Sequence, residues 1–109
     1  MSRAKGDIAE QRASLFLLEN GYTIVDKNFY SRFGEIDIIV IKDEVLHFVE
    51  VKSALDYELA VQNITKGKLS KIIKTGDVYL KKNAINVDYM YDAVIVTPEN
   101  IWHLENITI

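Results

Sequence analysis

Apolar and polar residues alternate along this chain in two different rhythms, and the rhythms divide it into elements. Residues 4–20 repeat at spacings of three and four, with Ala9, Ala13, Phe16 and Leu17 forming a stripe flanked by Ile8 and Leu15, which predicts an amphipathic helix. Gly21 after Asn20 is a helix stop, because glycine enters the left-handed conformation freely. Residues 22–30 predict a first strand. Gly34-Glu35-Ile36-Asp37-Ile38-Ile39-Val40 and Leu46-His47-Phe48-Val49-Glu50-Val51-Lys52 alternate with period two and predict two more, joined by a short turn.

Residues 53–64 have no clean period and read as a loop over the strand ends. Thr65 is a helix cap, and the helix it opens runs to about Lys82 with Leu69, Ile72, Ile73, Gly76, Tyr79 and Leu80 inward. Residues 87–97 hold the apolar run of a strand buried on both faces. Pro98-Glu99-Asn100 is a turn, and residues 101–109 form a last short strand with Trp102 against the core and His103 on the surface. The order α-β-β-β-α-β-β predicts an α/β fold of the mixed α+β kind. An antiparallel meander comes first, and the second helix crosses over so that the strand around Val94 runs parallel to a central one. One domain covering residues 1–109 is expected.

Register brings in the first chemistry. A turn centred on Asp43-Glu44 sets Ile38 opposite Val49, Ile36 opposite Val51, Asp37 opposite Glu50 and Glu35 opposite Lys52. Two carboxylates facing across a ladder repel. Their face also carries Ile39, Ile41, Leu46 and Phe48, so it is at least half buried, and ionised groups there need a partner or a cation. A slip of one residue would separate the acids but unpair the aliphatic residues. A divalent metal between Asp37 and Glu50, with Lys52 beside it, resolves the conflict. One Glu-x-Lys alone would be an ordinary wet strand face; three carboxylates and a lysine on one face among aliphatic residues point to a site. Glu10 on the first helix is a solvated glutamate unless the small residues around it let that helix approach the acids. Phe29, Tyr30 and Phe33 could stack on bases, but strand-end aromatics more often cap a core.

Composition narrows the metal. There is no cysteine among the 109 residues, which removes thiolate zinc sites, disulfides and cysteine nucleophiles. His47 and His103 are far apart in sequence and too few for a histidine-rich centre, so oxygen ligands and magnesium or manganese are expected. No apolar run is long enough for a bilayer, and the amino terminus lacks the apolar core of a signal peptide, which predicts a cytoplasmic protein with no membrane partner. The net charge of −3 argues mildly against general nucleic-acid affinity. Lys68, Lys71 and Lys74 nevertheless form a basic stretch on the second helix, suited to a phosphate backbone if a metal site lies beside it.

Asp37 followed by Glu50-Val51-Lys52 on the next strand resembles the core motif of the PD-(D/E)xK nuclease superfamily. More closely, the chain is similar to the small bacterial YraN-like family. The stretches that carry this are Gly6-Asp7-Ile8-Ala9-Glu10, Gly21-Tyr22, Asn28, Gly34-Glu35-Ile36-Asp37-Ile38-Ile39, Phe48-Val49-Glu50-Val51-Lys52, Thr65 with Lys68, Tyr79-Leu80 and Tyr91-Asp92-Ala93-Val94. The resemblance implies a restriction-endonuclease-like core, Asp37, Glu50 and Glu10 as metal ligands and Lys52 as the catalytic lysine. Glu35 falls in the shared Gly-Glu-Ile-Asp stretch as an accessory acid. The chain departs from that family in having Ser53-Ala54 where an arginine is common, and in using lysine where the second helix is often arginine-rich. The function so implied is metal-dependent phosphodiester hydrolysis on nucleic acid, DNA before RNA. The alternative is a non-catalytic module that binds nucleic acid or protein on the same scaffold. A homodimer or a protein partner stays open.

Overall fold

The computed structural model describes residues 3–108, with side chains from Asp7 onward. The elements are α1 (Arg3–Glu19), β1 (Thr23–Ser31), β2 (Gly34–Lys42), β3 (Val45–Ser53), α2 (Tyr57–Gln62), α3 (Lys66–Lys82), β4 (Asp88–Val96) and β5 (Ile101–Leu104). The strands form one sheet in the order β1-β2-β3-β4-β5. Pairing is antiparallel except between β3 and β4, which run parallel after the helical crossover. This mixed five-stranded sheet flanked by helices is compatible with a restriction-endonuclease-like fold.

Residues 53–64, expected as a loop, contain a helix of six residues. Asp56 caps it by accepting from Leu59 N–H at 2.9 Å, and Ala60 buries against Ala93 and Ile95. A helix this short has less than two full turns in which to display a period. The last strand ends at Leu104, well short of the expected residue 109.

Each face of the sheet has its own helix. Ala9, Ala13 and Leu17 of α1 pack on Ile38, Val40, Val49, Val94 and Val96. Ile72 and Tyr79 of α3 pack with Ile36, Ile39, Leu46, Phe48 and Tyr91. The stripe of α1 is narrower than expected: Ile8 and Leu15 are 57% and 60% exposed, and Phe16 is only half-buried. The small residues Ala9 and Ala13 explain this, since they bring the helix close to the sheet and leave the bulky neighbours outside.

Gly76 sets the distance between α3 and β4. A Cβ there would lie 2.8 Å from two ring carbons of Tyr91 and closer still to its hydroxyl. That ring is held, stacked on Phe48 at 5.1 Å and donating its hydroxyl hydrogen to Ile73 O at 3.2 Å. Alanine normally gains about 1 kcal/mol over glycine inside a helix, but overpacking of a fixed ring costs about 1–3 kcal/mol. Gly76→Ala should therefore lower stability in a urea titration, and adding Tyr91→Phe should recover part of the loss.

Candidate functional site

The predicted hairpin register holds from Lys42–Val45 through Ile38–Val49. Asp43 and Glu44 form its turn, with φ of 51° and 64°, the left-handed pair that a two-residue hairpin loop uses. The ladder stops one step before Asp37 and Glu50, so the expected Ile36–Val51 pairing does not form. Around Asp37 the alternation of β2 also breaks: Ile38 lies in the α1 core, while Ile36, two residues away, lies in the α3 core. The carboxylate occupies the gap between the diverging strands, where its Oδ2 accepts from Val51 N–H at 2.7 Å.

Asp37 and Glu50 are brought together there. Burial, the hydrogen bond between the two carboxyl groups and the Glu50 charge push the Asp37 carboxyl up to about 9; the Val51 N–H pulls it down, and the Glu10 charge raises it further. Lys52 Nζ lies 3.6 Å from Glu50 Oε2, both side chains being about four-fifths buried. Glu10 arrives from α1, positioned by Asn28, whose amide nitrogen donates to Glu10 Oε1 and to Glu35 Oε2, both at 3.0 Å. Five of the predicted residues (Glu10, Glu35, Asp37, Glu50 and Lys52) thus gather at one place. Sequence reasoning assigned no role to Asn28. Its φ of 53° is unusual for a non-glycine residue, and its exposed amide bridges the two acids at the surface.

The pH dependence of stability follows from the Asp37 shift. A carboxyl whose folded value is raised contributes stability that is fully present below the unfolded value of 3.8 and is lost as pH rises through about 9. In chelator-treated protein, Asp37→Asn should gain stability relative to the parent as pH is raised across that window, measured by urea denaturation at each pH.

The basic residues are less concentrated. Lys71 and Lys74 stand over the turn that begins β2: Lys71 Cβ is 3.7 Å from where a Cβ on Gly34 would lie, and Lys74 Nζ is 5.6 Å from the Phe33 ring centre. Arg32 stacks on the same ring at 4.8 Å. Lys68 lies one turn earlier on α3, and its backbone N–H is capped by Thr65 Oγ1 at 3.2 Å. All three lysines are exposed. Phe29 caps the core as expected, while Tyr30 is exposed.

A second cluster was not foreseen. His103, expected on the surface, donates from Nε2 to Asp92 Oδ2 at 2.7 Å, and His47 donates from Nδ1 to the same oxygen at 2.6 Å. Asn106 N–H donates to Asp92 Oδ1 at 3.0 Å. Burial would raise the Asp92 carboxyl, but the hydrogen bonds from His103, His47 and Asn106 outweigh it and hold the group below the usual carboxylate range. Among the described residues, this is the group of three metal-capable side chains whose ligand atoms all lie within 4.8 Å of one another. The available signal was the aspartate inside the run Met90-Tyr91-Asp92-Ala93-Val94-Ile95-Val96, since a buried charge requires partners.

The chain is similar to proteins from several bacteria, all carrying the same family description. A UPF0102 protein of Sulfurimonas denitrificans is 87% identical over the full length of both chains. One from Aliarcobacter butzleri is 52% identical over 99% of each. One from Helicobacter pylori strain HPAG1 is 48% identical, covering 97% of this chain and 92% of the relative. The family profile matches residues 9–96, a span that takes in Glu10, Asp37, Glu50, Lys52 and Asp92. The chain belongs to the uncharacterised protein family UPF0102.

Proposed function

We propose that this protein is a cytoplasmic, metal-dependent nuclease of the PD-(D/E)xK superfamily that hydrolyses phosphodiester bonds in nucleic acid, DNA before RNA. The observation that carries the reading is the contact between the Asp37 and Glu50 carboxyl groups beside Lys52. Two acids forced together at the mouth of a half-buried gap either share a proton or share a cation. The donors are all carboxylate oxygens, which suits magnesium or manganese.

Asp37 and Glu50 would hold that ion directly, and Glu10, fixed by Asn28, would hold its water shell. When bound, the ion supplies positive charge to the scissile phosphate and lowers the pKa of a coordinated water. Lys52 would sit against the attacking oxygen or the developing negative charge, where a fixed ammonium acts without reorganising. Glu35 shares the Asn28 amide and would keep Glu10 in place. Lys71 and Lys74, with Lys68 and Arg32, would guide the phosphate backbone past the start of β2.

The test has two stages. Magnesium or manganese at about a hundredfold excess over Kd should add roughly 2.7 kcal/mol, raising Tm by about 10 °C; Asp37→Asn should abolish the shift. Cleavage of branched, single-stranded and duplex DNA, and of RNA, with each metal then identifies the substrate. A Tm shift without cutting on any substrate would favour the non-catalytic binding module, a reading to which the net charge of −3 already lends weight. Absence of both the shift and the cutting would overturn the nuclease.

A further inference from the structure

We propose that His47, Asp92 and His103 form a second metal site, separate from the carboxylate pair and specific for a borderline transition ion such as zinc or cobalt(II). The three donors come from three adjacent strands. Asp92 pairs with Val49 across β3–β4, and His47 lies two residues before Val49. His103 pairs with Val94, two residues beyond Asp92. These are diagonal neighbours on one face of the sheet, so the backbone itself aims both rings at one carboxylate.

The chemistry of the set is distinct from that of the first site. Two imidazoles with one carboxylate are a common zinc triad, and the nitrogen donors disfavour magnesium. Zinc ligands lie at about 2.0–2.2 Å from the ion, which sets donor atoms roughly 3.3 Å apart. The two present contacts, 2.6 and 2.7 Å, must therefore open by about 0.6–0.7 Å. On binding, the ion replaces the hydrogens now on His47 Nδ1 and His103 Nε2. In a neutral ring that proton reappears on the other ring nitrogen; a doubly protonated ring releases it to solvent.

The surroundings serve such a site. Asn106 N–H continues to orient the carboxylate through Oδ1, and the Tyr22 ring packs edge-on against both imidazoles at 5.1 and 5.4 Å. A cavity of about 270 Å³ reaches His47 between Tyr22, Val45 and Met90, with Asp43 and Glu105 among its lining. It gives an ion an anionic approach to His47. Lys42, also at its edge, is occupied by Asn20 O at 2.8 Å. His47 faces Val40 across the hairpin, three residues from Asp37, which is about 10 Å along the strand. The two sites are thus addressable separately.

The test is a titration of chelator-treated full-length chain with zinc, and with cobalt(II) read by its visible ligand-field bands. Stoichiometric binding at micromolar Kd or tighter is expected, with four-coordinate cobalt bands. Glu50→Gln should keep the four-coordinate cobalt bands even where binding at the carboxylate pair is lost, whereas His103→Asn should lose them and weaken zinc by about a hundredfold. If His103→Asn fails to fold, the wild-type cobalt spectrum still decides. Absence of bands, millimolar binding, or loss of zinc binding in Glu50→Gln with retention in His103→Asn would overturn the site and leave a purely hydrogen-bonded network. Failure here leaves the nuclease reading intact, because that reading is tested with magnesium or manganese at Asp37.

Discussion

Replacing Glu50 by glutamine should lower metal-dependent cleavage by about three orders of magnitude while the protein stays folded. The size follows from what is removed. A bound divalent ion contributes several kcal/mol of charge stabilisation in the transition state, and each 1.36 kcal/mol is tenfold in rate. The same substitution removes one of two crowded acids and the Lys52 partner at 3.6 Å. The apo protein should therefore be no less stable than the parent, because the carboxyl–carboxyl conflict goes with the charge. Lys52→Ala should act differently: it should reduce turnover by roughly a hundredfold or more while sparing the metal-induced rise in Tm. Single-turnover cleavage and thermal melts on the same preparations separate the two outcomes. A folded Glu50→Gln protein with unimpaired turnover would sink the proposed mechanism.

Asp92→Ala should be the most destabilising single substitution among the polar residues discussed, by about 3–5 kcal/mol in chelator-treated protein. Asp92 is fully buried, and one carboxylate receives His47, His103 and Asn106 N–H together. Truncation leaves all three donors facing an apolar wall, and an unmade buried hydrogen bond costs more than a made one contributes. Asp92→Asn keeps the shape and one carbonyl acceptor, so it should lose roughly half as much. Urea denaturation midpoints at constant m-value measure both. Of the three strands that supply the cluster, only β3 also carries proposed catalytic residues.

The chain's sequence exposed the parts of this structure that repeat or that pair locally. The β2–β3 register was legible because alternating residues and a two-residue turn permit one alignment that buries Ile39, Ile41, Leu46 and Phe48 together. Thr65, Gly76 and the parallel β4 were legible for similar reasons. What failed depended on contacts distant in sequence. His103 reads as a surface residue until β5 is known to pair with β4 beside Asp92. Ile36 reads as a neighbour of Val51 until the strands are seen to part around the Asp37 carboxylate. Asn28 offered only a residue type, with no indication that its left-handed backbone would join Glu10 to Glu35.

The kink at Asn28 has a second consequence, outside chemistry. It lies on β1, one of the two borders of the sheet, close to a register shift between Ile24 and Asp26 and to the charged residues Asp26 and Lys27. The opposite border, β5, is only four residues long. A bent, charged rim and a stunted one give a foreign strand little straight backbone to zip onto. Growth of the sheet by adding chains is therefore blocked at both margins. Side chains at the ends of the strands and on the helices are the surfaces left for contact.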